Sequence, residues 1–178
     1  MILVLAATAE ELVGAPDGAV CGVGPVEAAA RAAAVIAERR PSAVLNAGLA
    51  GARAFARPAF VVGSEAVYCD ADDPRWIELR APADPRLVAA ARRALPEASV
   101  APIGTTARVG GAGTTCDVEA MEGYAVLRAA ALAGVPALEV RVLANAVAEP
   151  DRAKWRLGEA RAALAAALPR LVAELAGA

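Results

Sequence analysis

The sequence predicts an α/β sandwich, in which a mostly parallel central sheet is covered by helices on both sides. Three observations support this prediction. Short apolar runs alternate with longer, Ala-rich stretches along the chain. The first run, residues 1–7, is continuously apolar, as expected for a parallel strand that is buried on both faces. Small or polar residues follow several runs, at the rim where ligands of such folds bind.

The first third of the chain gives the clearest pattern. After the strand at 1–7, the polar residues at 8–13 indicate the start of a helix, and 14–18 a turn. Residues 19–23 form a second short apolar run. Pro25 then opens an Ala-rich helix over 26–39, because proline is favoured in the first helical turn.

The next predicted strand covers residues 42–45 and leads into the small residues at 46–51. Residues 60–66 indicate another strand, and 67–74 an acidic surface connection. Residues 85–95 indicate a helix with arginines near its end. Residues 100–115 combine Thr, Val and four glycines, which predicts a strand followed by a loop.

The last third predicts a helix over 117–132, a strand over 137–144 and a helix from 151 to the end. Pro169 is expected to bend or break that final helix, because proline removes a backbone donor and crowds the preceding turn. Length and continuity favour a single domain over residues 1–178.

Composition limits the classes of function. Hydrophobic residues make up 58% of the chain, but no apolar run approaches the roughly 18 residues needed to cross a bilayer. The net charge is −2, with both signs interspersed, so neither nucleic acid nor a membrane surface is expected as a partner. The opening run lacks a basic leader and soon meets two glutamates, so we expect a cytoplasmic protein.

Histidine is absent, and the three cysteines show no C-x-x-C spacing. A zinc site and any catalysis based on histidine are therefore not expected, and no metal or cofactor is implied. Cys21, Cys69 and Cys116 are expected to be reduced thiols. Acid–base chemistry must fall to Asp, Glu, Lys, Tyr or water.

Two segments near the amino terminus allow both a structural and a functional interpretation. Thr8 and Glu11 fit a capping box, in which the glutamate binds the backbone N–H of the cap residue. The Gly22-Val23-Gly24 stretch is a weak phosphate signal that a tight turn also explains. The small residues at 46–51 would let backbone N–H groups approach a ligand, or would simply pack closely.

Polar residues in the last third carry the same ambiguity. Glu119 and Glu122 are three residues apart and would share one face of the predicted helix as a solvated pair. Glu139 and Arg141 alternate onto one face of a strand and could pair with each other. Asn145 follows that strand and could be a turn residue.

Taken together, these segments resemble the nucleoside phosphorylase and nucleosidase family along nearly the whole chain. The resemblance is carried by Thr-Ala-Glu-Glu at 8–11, Asn-Ala-Gly-Leu-Ala-Gly at 46–51 and Glu-Ala-Met-Glu-Gly at 119–123. Within the family, Arg-Val-Leu-Ala-Asn at 141–145 and Asp-Arg-Ala-Lys-Trp at 151–155 are most similar to the futalosine hydrolase branch. The resemblance implies a three-layer α/β/α fold, no cofactor, and a homo-oligomer.

The resemblance also implies roles for individual residues. Glu11 matches the carboxylate that activates the attacking water, and Glu122 the one that binds the ribose hydroxyls, with Met121 packed under the sugar. Asn145 falls where adenine-cleaving nucleosidases carry an aspartate that protonates N7. The remaining expected contacts to the substrate come from Thr8, Leu49, Ala50, Gly51, Arg141 and Arg152, with Lys154 beside Arg152 as a second partner for a substrate carboxylate.

Asn145 carries a chemical argument about the base. Adenine presents an acceptor at N7 and a donor at its exocyclic amine, which suits a carboxyl group. A 6-oxopurine presents acceptors at both N7 and O6, which an amide NH2 complements better. Asn145 therefore favours hypoxanthine as the leaving group, released by hydrolysis of futalosine.

Three alternatives stay open at this level. A methylthioadenosine or S-adenosylhomocysteine nucleosidase would release adenine. A phosphorylase would need cationic groups around phosphate, but Asn46 stands where the family's phosphorylases carry an arginine, with Arg53 close by. A non-catalytic nucleoside-binding protein is suggested by the abbreviated loop at 105–117. The aromatic residues available to stack on a base are Tyr68, Trp76 and Tyr124.

Overall fold

The central sheet of the computed structural model, which describes residues 1–178, has eight strands of mixed direction. The strands are β1 Ile2–Ala6, β2 Gly18–Val20, β3 Ala43–Ala52, β4 Phe60–Tyr68, β5 Arg80–Pro82, β6 Ser99–Thr105, β7 Val118–Ala120 and β8 Ala137–Ala146. The helices are α1 Pro25–Arg39, α2 Pro85–Ala94, α3 Gly123–Leu132 and α4 Leu157–Ala176, with short 3-10 helices at Ala9–Leu12 and Arg152–Lys154. None of the helices is long and apolar enough to cross a membrane.

Strand pairing bends the sheet onto itself. β3 pairs with β1, β8 and β7, and β4 pairs with β8, β6 and β5. Because β6 also pairs with β7, the strands β3, β8, β4, β6 and β7 form a closed circuit. Five of the eight strand pairings are parallel, so the sheet is mixed but mostly parallel. Helices cover both of its faces, which confirms the predicted sandwich. Closure leaves β2 and β5 as the edges, and both are short.

The two faces of the sheet bury separate cores. On one face, α1 packs against α3, and their small residues cover Leu3 and Leu5 of β1. On the other face, α2 packs against α4 and covers Val4, Leu138 and Val140. The alternation of Leu3, Val4 and Leu5 between the two cores explains why β1 is apolar throughout.

The predicted helix over 117–132 is wrong in its first turn. Val118–Ala120 is strand β7, which pairs with both β3 and β6, and the helix begins at Gly123. Glu119 and Glu122 therefore do not share a helix face, and both are buried. The strand is three residues long, so its pattern is too short to separate from a helix start.

The small residues at 46–51 lie inside a strand and not in the loop that was expected after it. β3 continues to Ala52 and keeps pairing with β8 over this stretch. The register shifts between Ala50 and Gly51, which pairs Gly51 with Asn145 and inserts a bulge in β8. Such bulges redirect side chains at the ends of strands.

The carboxyl-terminal segment also differs from the prediction. Residues Arg152–Lys154 form a 3-10 helix, and α4 then runs to Ala176 without interruption at Pro169. Pro169 is exposed within this helix. Two further differences are local: β4 extends to Tyr68, beyond the predicted end, and β5 was not predicted.

Gly14 provides a test of how the amino-terminal segment packs on α4. Its φ is +87°, and a Cβ there would lie 2.5 Å from the carbonyl oxygen of Ala165. We expect Gly14→Ala to lower the free energy of unfolding by about 3 kcal/mol, because backbone strain and overlap add together. Urea unfolding monitored by circular dichroism measures this change.

Gly134→Ala is the matched control, because Gly134 has φ +68° but no atom within 4 Å of its Cβ position. Its expected loss is about 1 kcal/mol, from backbone strain alone. Equal losses in the two variants would show that the contact with α4 contributes nothing to the cost.

Candidate functional site

A cavity of about 220 Å³ opens beyond the carboxyl end of β1, between β3, β8 and the segment that joins β7 to α3. Its lining includes the backbone of β3 and buried polar side chains from separate segments. Eight of the residues expected from the sequence line it: Thr8, Glu11, Leu49, Ala50, Gly51, Met121, Glu122 and Asn145. Arg141 lies beneath the cavity, and Arg152 lies outside it.

Glu11 both caps the first 3-10 helix and lines the cavity. Its Oε2 accepts hydrogen bonds from the backbone N–H of Thr8, at 3.1 Å, and from the Thr8 hydroxyl, at 3.3 Å. Its Oε1 accepts from the backbone N–H of Leu49 at 3.0 Å. The structural and functional interpretations of Glu11 are therefore compatible, since capping fixes the direction of a carboxylate that faces the cavity.

Glu122 lies between β7 and α3 and is held from two directions. The backbone N–H of Gly24 donates to its Oε1 at 3.1 Å, and Nη1 of Arg141 lies 3.3 Å from its Oε2. Gly24 has φ +88°, which favours glycine at the turn that brings this N–H to the carboxylate. The weak Gly22-Val23-Gly24 signal thus marks a contact with a carboxylate.

Arg141 is buried beneath the cavity and connects β8 to two other segments, β3 and the segment that joins β7 to α3. Its Nε donates to Glu139 at 2.8 Å, and its Nη2 donates to Oδ1 of Asn46 at 2.6 Å. Its Nη1 lies near Glu122 and the carbonyl oxygen of Leu49. The pairing of Glu139 with Arg141 inferred from strand alternation is confirmed, although it is one contact among several.

The charges around Arg141 act on its ionisation and on that of Glu139. Burial by itself would lower the pKa of Arg141, but Glu139, Glu122 and Glu11 more than offset burial and raise it. Burial raises the pKa of Glu139, and the charge of Arg141 offsets only part of that shift. The guanidinium therefore stays charged in a place without access to water.

Asn145 reaches the cavity from the bulge in β8. Its Nδ2 donates one hydrogen bond to the carbonyl oxygen of Ala146 at 3.0 Å. An amide carries two N–H donors and an acceptor oxygen, so one N–H and Oδ1 have no partner within the protein. Asn145 belongs to the strand and is not the turn residue that the sequence allowed.

Glu119 is a buried cavity residue that sequence reasoning did not assign. It faces the loop of residues 106–117, where its two carboxylate oxygens accept hydrogen bonds from the backbone N–H groups of Gly110 and Ala112. On the other side of this loop, Thr106 binds the carboxylate of Asp70. The Glu-x-x-Glu spacing at 119–122 is the signal for it in the sequence, but that spacing alone predicts a helix face and not a strand.

The expected contacts of Arg152 and Lys154 with a substrate carboxylate stay predictions, since neither residue lines the cavity. Arg152 lies over the ring of Trp155, 5.4 Å from its centre, and Lys154 pairs with Glu149. Trp155 lines the cavity instead. Arg108 and Arg161 also line it, and neither forms a salt bridge.

The other aromatic residues lie elsewhere. Tyr68 and Tyr124 stack on each other with ring centres 5.1 Å apart and line a separate groove between α1 and α3. Trp76 is 85% exposed and does not line the cavity. Trp155 is therefore the aromatic residue that a bound molecule in the cavity can contact.

Asn46 and Arg53, which bear on phosphate binding, also lie outside the cavity lining. Asn46 is fully buried and donates from Nδ2 to the carbonyl oxygen of Leu5 while it accepts from Arg141. Arg53 donates to the carbonyl oxygen of Gly113. No group of three or more Cys, Asp or Glu side chains is arranged to hold a metal ion.

The fold and the matching family model identify the relationship. Residues 18–116, more than half of the chain, match the model of the phosphorylase superfamily. The chain belongs to the phosphorylase superfamily. In this superfamily member the matched residues extend from β2 into the 106–117 loop. Glu11, Glu122 and Asn145 lie outside the matched residues.

Two curated relatives are similar over shorter stretches. A futalosine hydrolase of Streptomyces coelicolor is 57% identical over 53 residues, which is 30% of this chain and 23% of the relative. A futalosine hydrolase of Thermus thermophilus is 48% identical over 61 residues, which is 34% of this chain and 27% of the relative. The alignments thus span about a quarter of the length of these relatives.

Solved structures share the fold over nearly their full length. A futalosine hydrolase mutant of Helicobacter pylori has a TM-score of 0.85 at 17% identity, covering 97% of this chain and 98% of that one. A Streptococcus pneumoniae MTA/SAH nucleosidase in complex with 8-aminoadenine also has a TM-score of 0.85, at 20% identity, covering 96% and 98%. At these identities the similarity establishes the nucleoside phosphorylase-like fold that the sequence predicted.

The 106–117 loop should depend on Glu119 for its position. In Glu119→Gln an amide NH2 replaces one acceptor oxygen, so one of the N–H groups of Gly110 and Ala112 loses its partner. A hydrogen bond to a charged group is worth about 1.5–3 kcal/mol, so that amide should exchange its hydrogen about 10–100-fold faster. Hydrogen exchange followed by NMR measures this change.

The amide of Leu49 is the internal control, because Glu11 and not Glu119 accepts its hydrogen bond. It should keep its protection in Glu119→Gln, whereas in Glu11→Gln either this amide or that of Thr8 should exchange faster. Unchanged exchange at both Gly110 and Ala112 would show that the loop holds its position without Glu119.

Proposed function

We propose that this chain hydrolyses the N-glycosidic bond of a 6-oxopurine nucleoside, with futalosine as the substrate and hypoxanthine as the released base. One observation carries the proposal. Two anchored carboxylates, Glu11 and Glu122, line the same small cavity as Asn145, an amide with a free N–H donor. The relatives that are similar over 53 and 61 residues are named futalosine hydrolases, which supports this choice of substrate.

Cleavage of the bond between the base and the sugar leaves positive charge on the ribose ring. In the proposed mechanism, Glu122 accepts hydrogen bonds from the ribose hydroxyls and stabilises that charge as it develops. Its two anchors, Gly24 and Arg141, leave lone pairs on both oxygens for the hydroxyls. Met121, which also lines the cavity, packs under the sugar.

Glu11 acts on the attacking water. It accepts a proton from water on the face of the sugar opposite the base, and the resulting hydroxyl adds to the anomeric carbon. Three hydrogen bonds from Thr8 and Leu49 fix its carboxylate, so little motion is needed before proton transfer. A positioned general base contributes about 10²–10⁴-fold to the rate.

Asn145 engages the departing base. Its free N–H donates to N7 or O6 of a 6-oxopurine, where negative charge develops as the bond breaks. A neutral amide cannot transfer a proton, so the base leaves as an anion that takes its proton from solvent, and a larger share of the barrier must be lowered at the sugar. The two unpaired guanidinium groups of Arg108 and Arg161 offer a place for the carboxylate of the substrate's aromatic tail, beside Trp155.

Hydrolysis is preferred to phosphorolysis because of Asn46. This residue is fully buried, and both ends of its amide bind protein groups, so it is not available to hold phosphate. The runner-up is an adenine-releasing nucleosidase, since MTA/SAH nucleosidases share this fold at TM-scores such as 0.85. We also propose that residues 1–178 form one catalytic domain and that the protein assembles as a homo-oligomer.

Release of purine bases tests the proposal directly. The protein is incubated with futalosine, inosine, methylthioadenosine or S-adenosylhomocysteine, with and without phosphate, and the bases are separated by chromatography. We expect hypoxanthine from futalosine at a rate that phosphate does not change. Adenine release would favour the runner-up, phosphate dependence would favour a phosphorylase, and no release from any of the four would favour a binding protein.

Glu11→Gln is the matched control for this assay, because glutamine preserves the size of the side chain but cannot accept the proton. We expect a rate at least about 100-fold lower, with the affinity for futalosine kept within a few-fold. Calorimetric titration of the inactive variant measures that affinity. Loss of binding together with turnover would reduce Glu11 to its capping role.

Asn145→Asp should shift base selection toward adenine. The carboxyl group can protonate N7 and accept from the exocyclic amine, whereas it opposes the acceptor O6 of hypoxanthine. We expect the ratio of kcat/KM for futalosine to that for methylthioadenosine to fall at least about tenfold. An unchanged ratio would refute the assignment of base recognition to Asn145.

A further inference from the structure

Glu139 is the most deeply buried carboxylate near the cavity, and no step of the proposed reaction uses it. Its exposed fraction is 0%, and it does not line the cavity. Its Oε1 accepts from Nε of Arg141, but its Oε2 has no hydrogen-bond partner. A buried polar atom without a partner destabilises the fold, so this carboxylate has a cost that packing does not explain.

Neighbouring elements leave space for this carboxylate. A Cβ at Gly123, the first residue of α3, would overlap both carboxylate oxygens of Glu139. A Cβ at Gly63 in β4 would lie 3.3 Å from the Cβ of Glu139. Two glycines on different elements thus border one buried acid, which indicates a built position for it and not an accident of packing.

Glu139 also determines which way Arg141 points. The guanidinium is planar, so a hydrogen bond at Nε constrains the directions of both Nη groups. With Nε held by Glu139 at 2.8 Å, Nη2 points at Asn46 and Nη1 lies 3.3 Å from Oε2 of Glu122. A chain of contacts therefore leads from the buried acid to the carboxylate assigned to the ribose hydroxyls.

We infer that Glu139 is a positioning residue: by holding Nε of Arg141, it fixes the guanidinium that keeps Glu122 directed at the ribose. It acts on sugar binding through Arg141 and does not touch the substrate. The inference rests on the proposed function, because it requires Glu122 to bind the sugar. Loss of Glu139 should therefore weaken binding of the nucleoside but not of the free base, since the base is held by Asn145 and not by Arg141 and Glu122.

The test compares binding of nucleoside and of free base. Leucine at position 139 is close to glutamate in size but offers no acceptor, so Arg141 loses its constraint at Nε. In Glu139→Leu we expect KM for futalosine to rise at least about tenfold, with kcat per folded molecule changed less. Inhibition by hypoxanthine should stay within about twofold of the wild-type value, because Asn145 is untouched.

Two conservative variants separate geometry from charge and serve if Glu139→Leu does not fold. Glu139→Gln keeps an acceptor at the same reach, so KM should remain within about threefold of wild type. Glu139→Asp keeps the charge but is one methylene shorter, so it should raise KM more than Gln does. The opposite order would show that charge and not position matters, and would overturn the inference.

Val140→Ala is the control for general destabilisation, because Val140 is a core residue on the opposite face of β8. It should lower Tm and leave KM unchanged. If Glu139→Leu behaved in the same way, Glu139 would be only a structural residue. If the wild-type protein released no base from any nucleoside, both the proposed function and the inference would fail. If the wild-type protein were active and the Glu139 variants had an unaltered KM, only the inference would fail.

Discussion

A guanidinium that has no contact with water holds the centre of this protein together. Arg141 binds Glu139 on its own strand, Asn46 on β3 and Glu122 ahead of α3, and thereby connects the middle of the sheet to the cavity. Removing a charge from water costs several kcal/mol, which only well-placed partners offset. Gly48 belongs to the same arrangement, because a Cβ there would overlap Nη1 of Arg141. The absence of a side chain at Gly48 is therefore a condition for the buried charge.

The sequence predicted the sandwich and most of the cavity because both depend on local patterns. Buried strands are apolar runs, helices show Ala-rich periodicity, and the polar residues after β1 and within β8 stand out against an apolar background. What it could not predict depends on pairing between distant segments. β7 is recognisable only through its bonds to β3 and β6, and β3 is long only because β8 accompanies it.

Glu119, Arg152 and Arg161 illustrate the same limit for side chains. The role of Glu119 appears only when the 106–117 loop folds back over β7 and presents two N–H groups to it. The directions of Arg152 and Arg161 depend on how a 3-10 helix and α4 follow β8, which no spacing rule specifies. Glu11 was ambiguous for a different reason: the capping bond to Thr8 and the bond to Leu49 anchor a carboxylate that also lines the cavity, so the two interpretations never competed.

The order of the cavity-lining residues along the chain has a consequence for folding. They begin at Ala7 and end at Arg161. The lining of the cavity is therefore complete only after the first strand and the last helix have both joined the sheet. A molecule that binds there contacts both ends of the chain, and its binding free energy adds to the stability of the whole fold. Such a ligand acts as a non-covalent cross-link between the amino-terminal and carboxyl-terminal segments, and slow exchange of amides in β1 would accompany its binding.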